Sequence, residues 1–486
     1  MLEFFYDTHH EMLNEEQKEI KIELCERIDN DRGGLYMIDA PGGTGKTFLS
    51  NIILAYVRRQ NKIGIATAMS GIAAILLTLG TTAHKCFGLP IPCYNDSSCS
   101  IKIDSDEARI IQDAKIIFID EISMMLYKLL DCLDRFLQEI MHNTNPMGDK
   151  LVVLMGDFRQ ILPVIPNGYR CHIVSATIKN SELWEHVQIR HLRKNMRVEK
   201  MIREEPERKD ELNEFANWLL ELGKGTLQPL VQNIIQIPQH MVCHSSEEVR
   251  DTIYDNFYEN FSDVEYLSKR AVMSCKNETV QRQNFKMVEQ LPGELAISIS
   301  INECVKEEHR VRFEPELLNT VEASGLPPHC LALKKNAVIL LIRNLDVKSG
   351  HCNGTRYIIE DFTEKIIMAK KLNGDGSEND TILIPKFSIN SKDTDFAVIF
   401  KRKQFPIVGA YYLTFNRAQG QSFQKCGLDL PESVFCHGQL YVGFGRCGDN
   451  KKLSVYANQE EFEHLKDSLP EGGTFTRNVV YTEVFE

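Results

Sequence analysis

At 486 residues the chain is too long for a single hydrophobic core and has the length of several domains. Its 43% hydrophobic and 26% charged residues exclude a disordered or collagen-like polymer, and no apolar run is long enough to span a bilayer. The net charge of −12 excludes a uniformly basic coat while leaving room for a local basic channel that holds a polyanion.

The chain opens on "MLEFFYDTHHEMLNEEQ", which is too acidic, and too short in its apolar part, for a secretory signal. An intracellular protein, nuclear or cytoplasmic, is the expectation, with a mitochondrial address left open. The 14 cysteines are scattered without a C-x-x-C pair, as suits buried thiols in a reducing compartment. Cys86, Cys93 and Cys99 lie closest together but lack a fourth ligand at zinc spacing. The next elements are short apolar runs, "GLYMIDA", "KIGIATA", "AKIIFID" and "LVVLMGD", each followed by a helical pattern. Strands apolar on both faces with crossover helices predict a buried parallel sheet and hence an α/β domain, placed at residues 1–190. After the charge-dense "RKNMRVEKMIREEPERKDEL" a second series, "RAVMSC", "PIVGAYYLTF" and "CGLDL", predicts a second α/β domain over 191–486. Short strands punctuated by N-G and G-D-G turns between them predict a small antiparallel β-barrel inserted at about 326–399.

The first strand runs into "APGGTGKT", where Gly42, Gly43, Thr44 and Gly45 let backbone N–H groups converge on phosphate oxygens. Lys46 suits the terminal phosphates and the Thr47 hydroxyl suits magnesium. Ala40 stands where the usual pattern has its first glycine. The competing reading is a glycine-rich turn with an exposed lysine. "KIIFIDEIS" ends a buried strand with Asp120, suited to the magnesium shell, and Glu121, suited to polarising an attacking water. Solvated caps are the alternative. "LVVLMGDFRQILPVIP" ends in Asp157 and Gln160; the glutamine can sense a γ-phosphate or simply brace a turn.

The loop, "DEISM", "GDFRQILPV", "LRKNMR", "LTFNRAQGQS" and "HGQLYVGFGR" follow one another as the motifs of superfamily 1B helicases do. The chain resembles the petite-integration-frequency (PIF) DNA helicases, in the branch found in Helitron transposons, from about Leu13 to Ala457. "SGLPPHCLALK", "LIRNLDVKSGHCNGTR" and "RKQFPIVGAYYLTFNRAQGQS" carry the likeness to that branch. The resemblance implies two tandem RecA-like P-loop domains, with a small wedge at about 88–111 in the first and an SH3-like insertion in the second. It implies that ATP and Mg2+ are bound, that Gln17 recognises adenine, and that Gly420 borders the nucleotide. Arg197 and Arg446 would reach the γ-phosphate from the second α/β domain, tying hydrolysis to domain movement.

The resemblance further implies that Thr67, Ser70, Thr82 and His84 of the first domain, and Thr414, Asn416, Arg417 and Ser422 of the second, grip single-stranded DNA, while the wedge splits the duplex. The implied activity is an ATP-dependent DNA helicase moving 5′-to-3′ on forked or duplex DNA as a monomer, in replication, repair or recombination, and away from membranes. The alternatives are a helicase-like protein that binds single-stranded DNA with little ATP turnover, and a P-loop ATPase that remodels protein. Two departures stand out. The last motif carries Gly443 and Gly445 where the family has alanine and serine, which is expected to loosen the helix beneath Arg446. No His-hydrophobic-His pair with a tyrosine couple occurs, so a nicking and joining domain is not expected in this chain.

Overall fold

The four apolar runs of the first half become adjacent strands of one parallel sheet. β1 (Gly34–Asp39), β2 (Ile63–Ala68), β3 (Thr81–Thr82), β4 (Ala114–Asp120), β5 (Leu151–Gly156) and β6 (Val187–His191) are arranged β3-β2-β4-β5-β1-β6. Alternate side chains feed two cores. Leu35 and Met37 of β1 join Ile117, Ile119, Val152 and Leu154 on one face. Tyr36, Ile38, Phe118, Val153 and Met155 line the other, covered by Leu49, Ile52 and Val57 of a helix over Lys46–Arg59. Burial on both faces is why these strands read as continuous apolar runs.

The computed structural model describes residues 2–227, 230–305, 315–321, 325–374, 376, 380–391 and 399–486. They form two compact units. One comprises Met1–Gln228, Cys436–Gly448 and Asn478–Glu486, the other Pro229–Phe435 and Asp449–Arg477. The expected boundary at 190/191 therefore moves. A cut there would sever β6, whose His191 pairs with Asp39 of β1.

The second unit has a four-stranded parallel sheet, ordered Tyr412–Thr414, Arg270–Ser274, Lys425–Leu430, Leu453–Ala457. Into it is inserted a five-stranded antiparallel sheet, ordered Thr381–Pro385, Ile366–Lys371, Arg356–Phe362, Val338–Leu341, Ile407–Gly409. The insertion thus extends past the expected 399, because its last strand pairs with Val338–Leu341. The parts of the expected barrel at 375, 377–379 and 392–398 lie outside the described residues.

The expected wedge is an irregular loop from Gly88, followed by a helix over Asp106–Asp113 capped by Ser105. Arg135 donates to Ser97 O at 2.8 Å, and Cys99 Sγ lies 3.8 Å from Cys132 Sγ, so the loop is held against the helix Tyr127–Met141. Among the described residues no group of three His, Cys, Asp or Glu side chains could hold a metal, and no helix is long and apolar enough to cross a membrane.

Candidate nucleotide site

At the carboxyl edge of β1 the chain turns through Ala40, whose N–H donates to Gly156 O at 3.1 Å. Gly43 and Gly45 sit at φ +89° and +84°, a left-handed backbone open to glycine without strain. The turn delivers Lys46 as the first residue of its helix, and its Nζ donates to Ala40 O at 2.7 Å. A Cβ on Gly42 would meet nothing within 4 Å. The turn borders a cavity of about 250 Å3 that is also lined by Arg197, Tyr441, Gly445 and Arg446. An open glycine cradle at a helix N-terminus beside a lysine suits a phosphorylated ligand.

Gln17 is buried behind this turn. Its Oε1 accepts from Asn14 N at 3.1 Å in a reciprocal capping box that starts the helix Glu15–Asp29. Its Nε2 donates to Thr44 O at 2.9 Å, so the amide expected to read adenine also braces the phosphate loop.

β4 ends in Asp120, whose Oδ1 accepts from Glu121 N at 2.8 Å. Burial and the Glu121 charge push the Asp120 carboxyl up to about 6, against the pull of Lys46. Glu121 holds φ +56°, a costly value for a non-glycine residue. The carboxylate of Asp120 and the half-buried hydroxyl of Thr47 are hard oxygen donors, a set that suits magnesium.

β5 ends in a denser network. Asp157, fully buried, accepts from Arg159 and, at 2.8 Å, from the Tyr441 hydroxyl. Arg159 Nη2 reaches Asp39 Oδ1 at 3.2 Å. Burial, reinforced by Asp157, raises the Tyr441 phenol well above its ordinary range, so it remains a donor. Gln160 is 3% exposed, and its Oε1 has no hydrogen-bond donor among the described residues. A buried acceptor left without a partner in an otherwise satisfied network is a position for a ligand or water.

Arg197 and Arg446 are brought to this unit, correcting their expected origin in the second α/β domain. Asn195 caps the helix Met196–Glu204, accepting from Arg197 N and Val198 N, and Arg197 N also donates to Gly43 O at 3.2 Å. Arg197 Nη1 reaches Gly445 O at 3.4 Å. The short helix Gln439–Gly445 forms despite its glycines. Its Tyr441 binds Asp157, and its N-cap Gly438 packs so closely that a Cβ would lie 2.6 Å from Arg159 O. His437 completes the mooring. Its Nδ1 accepts from Tyr481 N at 2.8 Å, which leaves Nε2–H to donate to Phe158 O at 2.7 Å. Burial lowers His437 to about 4. Arg446 is 7% exposed and its Nε donates to Val442 O at 3.1 Å, so it is held more firmly than its glycine neighbours suggest. Sequence reasoning missed Tyr441, His437, Arg159 and Asn195. Only Asn195 carried a local signal, an N-cap residue two positions before Arg197.

The candidate DNA residues of the first unit cluster at the β2 and β3 ends. Thr67 Oγ1 donates to Phe118 O at 2.7 Å and is fully buried. Ser70 and Thr82 cap short helices by accepting from Ala73 N at 3.2 Å and Lys85 N at 3.4 Å. Burial lowers the pKa of His84. Thr414, Asn416, Arg417, Gly420 and Ser422 lie in the second unit, with Asn416 and Ser422 exposed and Gly420 at φ +79°.

Fold and site together define a phosphate-loop α/β protein with two arginines beside the loop. Residues 12–233 match the family model of the PIF1-like helicase, and residues 316–362 match that of the DNA helicase Pif1 2B domain. This chain belongs to the PIF1-like helicases. It is 24% identical over 439 residues to the ATP-dependent DNA helicase Pif1 of Campylobacter jejuni, covering 86% of this chain and 88% of that protein. With the ATP-dependent DNA helicase PIF1 of Danio rerio it shares 24% over 419 residues, 85% of this chain but 57% of the relative. Pif1 helicase from Bacteroides, solved with ADP-AlF3 and ssDNA, superposes with a TM-score of 0.62 at 20% identity, over 96% of this chain and 99% of that one.

Proposed function

We propose that this chain is an ATP-dependent DNA helicase that moves along one strand and displaces the other. The observation that carries the reading is that Arg197 and Arg446 line the same cavity as Gly42 of the glycine cradle, while Lys46, at the mouth of that cradle, is close enough to Asp120 to pull its carboxyl down. Lys46 and the N–H groups of the loop suit the crowded charge of a triphosphate. Thr47 and Asp120 would hold magnesium, which supplies charge neutralisation at phosphate oxygens. Glu121 would take the proton of an attacking water, and Gln160 would orient that water. Arg197 and Arg446 would stabilise the charge that develops on the transferred group. Gln17 would report a bound base to the loop through Thr44 O, and Gly420 is assigned to the nucleotide on its motif alone.

The names of the relatives and the ssDNA-bound Bacteroides structure support DNA as the substrate. We extend the reading to forked and duplex DNA, to a monomer travelling 5′-to-3′, and to a wedge at about 88–111 whose exposed Ile91 and Tyr94 would meet the duplex junction. The Helitron-type tracts support that branch of the family; we extend the reading to a role in replication, repair or recombination, and the scattered thiols support an intracellular site of action, nuclear or cytoplasmic. Steady-state ATPase with and without oligonucleotide, then strand displacement on substrates with a 5′ or a 3′ tail, tests the reading. DNA-stimulated turnover and displacement from the 5′ tail are expected. Tight DNA binding without turnover would instead identify a helicase-like binding protein, and turnover indifferent to DNA would identify a protein remodeller.

A further inference from the structure

The extended segment from Ala296 to Val305 in the second unit alternates in the opposite sense to an ordinary half-buried strand. Ile297, Ile299 and Ile301 are 47%, 59% and 59% exposed, while the polar residues between them face inward. Ser298 Oγ donates to Gln404 Oε1 at 2.9 Å, and Ser300 Oγ bonds His329 Nδ1 at 2.8 Å. Asn302 accepts from the buried Arg402 at 2.8 Å and donates to Asn319 Oδ1 at 2.7 Å. A slip of one residue would bury the isoleucines but strand all of these polar groups, so the register that exposes the apolar row is fixed.

The row lines a groove of about 910 Å3 together with Phe362, Ile366 and Pro385. Lys365, Lys386 and Lys403 stand around it, and none is paired with a carboxylate among the described residues. Among the described residues Glu364 is the one acidic lining residue against these three ammonium groups. An exposed apolar stripe ringed by lysines that have no carboxylate partner among the described residues, Lys386 resting over the Phe405 ring, is complementary to a chain bearing both apolar and carboxylate side chains. Single-stranded nucleic acid fits less well, since among the described residues the lining offers one aromatic ring for stacking and no arginine. Ala296–Ile299 pairs only with Cys330–Leu333 among the described residues, which leaves its second edge available to an extended backbone.

We infer that this groove binds an extended acidic segment of a partner protein, its apolar side chains on the isoleucine row and its carboxylates on the lysines. Fluorescence anisotropy of the full chain with a labelled peptide alternating leucine and aspartate tests this, against a control alternating leucine and lysine. Only the acidic peptide is expected to bind. Ile299→Asp, and separately Lys386→Glu with Lys403→Glu, should each weaken binding about tenfold or more, leaving the melting temperature and DNA-stimulated ATP turnover unchanged. Absent binding, equal binding of the two peptides, or indifference to Ile299→Asp would overturn the proposal. Displacement of the peptide by oligothymidylate, with loss of oligothymidylate affinity in the lysine variant, would assign the groove to nucleic acid instead. A self-association that Ile299→Asp abolishes would assign it to a second copy of this chain, which also overturns it.

Discussion

The carboxyl edge of the six-stranded sheet carries two regions built on different principles. At the β1 and β5 ends, buried polar and charged groups are held in part by partners remote in sequence. Tyr441 reaches Asp157 across 284 positions and His437 reaches Phe158 across 279. At the β2 and β3 ends, Ser70 and Thr82 each cap a helix three residues on. Buried charges are costly unless fully paired, so the first region must be assembled before it can receive a ligand. Neutral caps cost little whether or not a ligand arrives, and their hydroxyls would have to be shared with the backbone N–H groups they already serve. The difference implies that a nucleotide at the first region would meet a preorganised site, whereas the residues proposed for DNA at the second have first a structural duty.

The sharpest break of this comparison is at Lys46. Lys46→Ala should lower ATP turnover by at least about a hundredfold, since no other ammonium group sits on the loop. Glu121→Gln should lose turnover while keeping nucleotide and DNA affinity. Loss of nucleotide affinity with the rate would make Glu121 structural.

Next in size is a pH effect at His437. Its folded pKa of about 4 lies below the ordinary 6.5, so the unfolded chain binds the proton more readily. Stability is therefore fully present above pH 6.5 and falls as the pH drops toward 4, by about 3 kcal/mol from this group. Denaturant melts across that window should flatten in His437→Gln. An unchanged slope would show that the imidazole is not the titrating group.

Tyr441→Phe leaves Asp157 one donor short and should cost about 1–2 kcal/mol, with a fall in turnover as the Arg446 helix loosens. Full stability with full turnover would dissolve the contrast between the two regions.

Ser70→Asp separates cap from ligand on the other side. Aspartate caps as well as serine, so melting should hold, whereas its charge should lower single-stranded DNA affinity about threefold or more. Unaltered affinity would leave Ser70 only a cap.

The smallest effect is at Gly445. A Cβ there meets nothing within 4 Å, so Gly445→Ala should stabilise by about 0.5–1 kcal/mol with little change in turnover. Destabilisation would show that the helix needs its glycine.

The sequence alone determined what depends on neighbours along the chain. The parallel strands, the phosphate loop with Lys46 and Thr47, and Asp120 with Glu121 at a strand end were legible because hydrophobic period, glycine placement and strand-to-helix order are local properties. The antiparallel insertion was legible from its turns, although its last strand lay beyond the expected end. Tertiary structure alone decided the rest. It set the unit boundary near 228 rather than 190, placed Arg197 and Arg446 with the loop, and exposed the isoleucine row. It also gave Tyr441, His437 and Arg159 their work, because the worth of a buried donor or charge depends on which distant group ends beside it, and neither period nor spacing encodes that pairing.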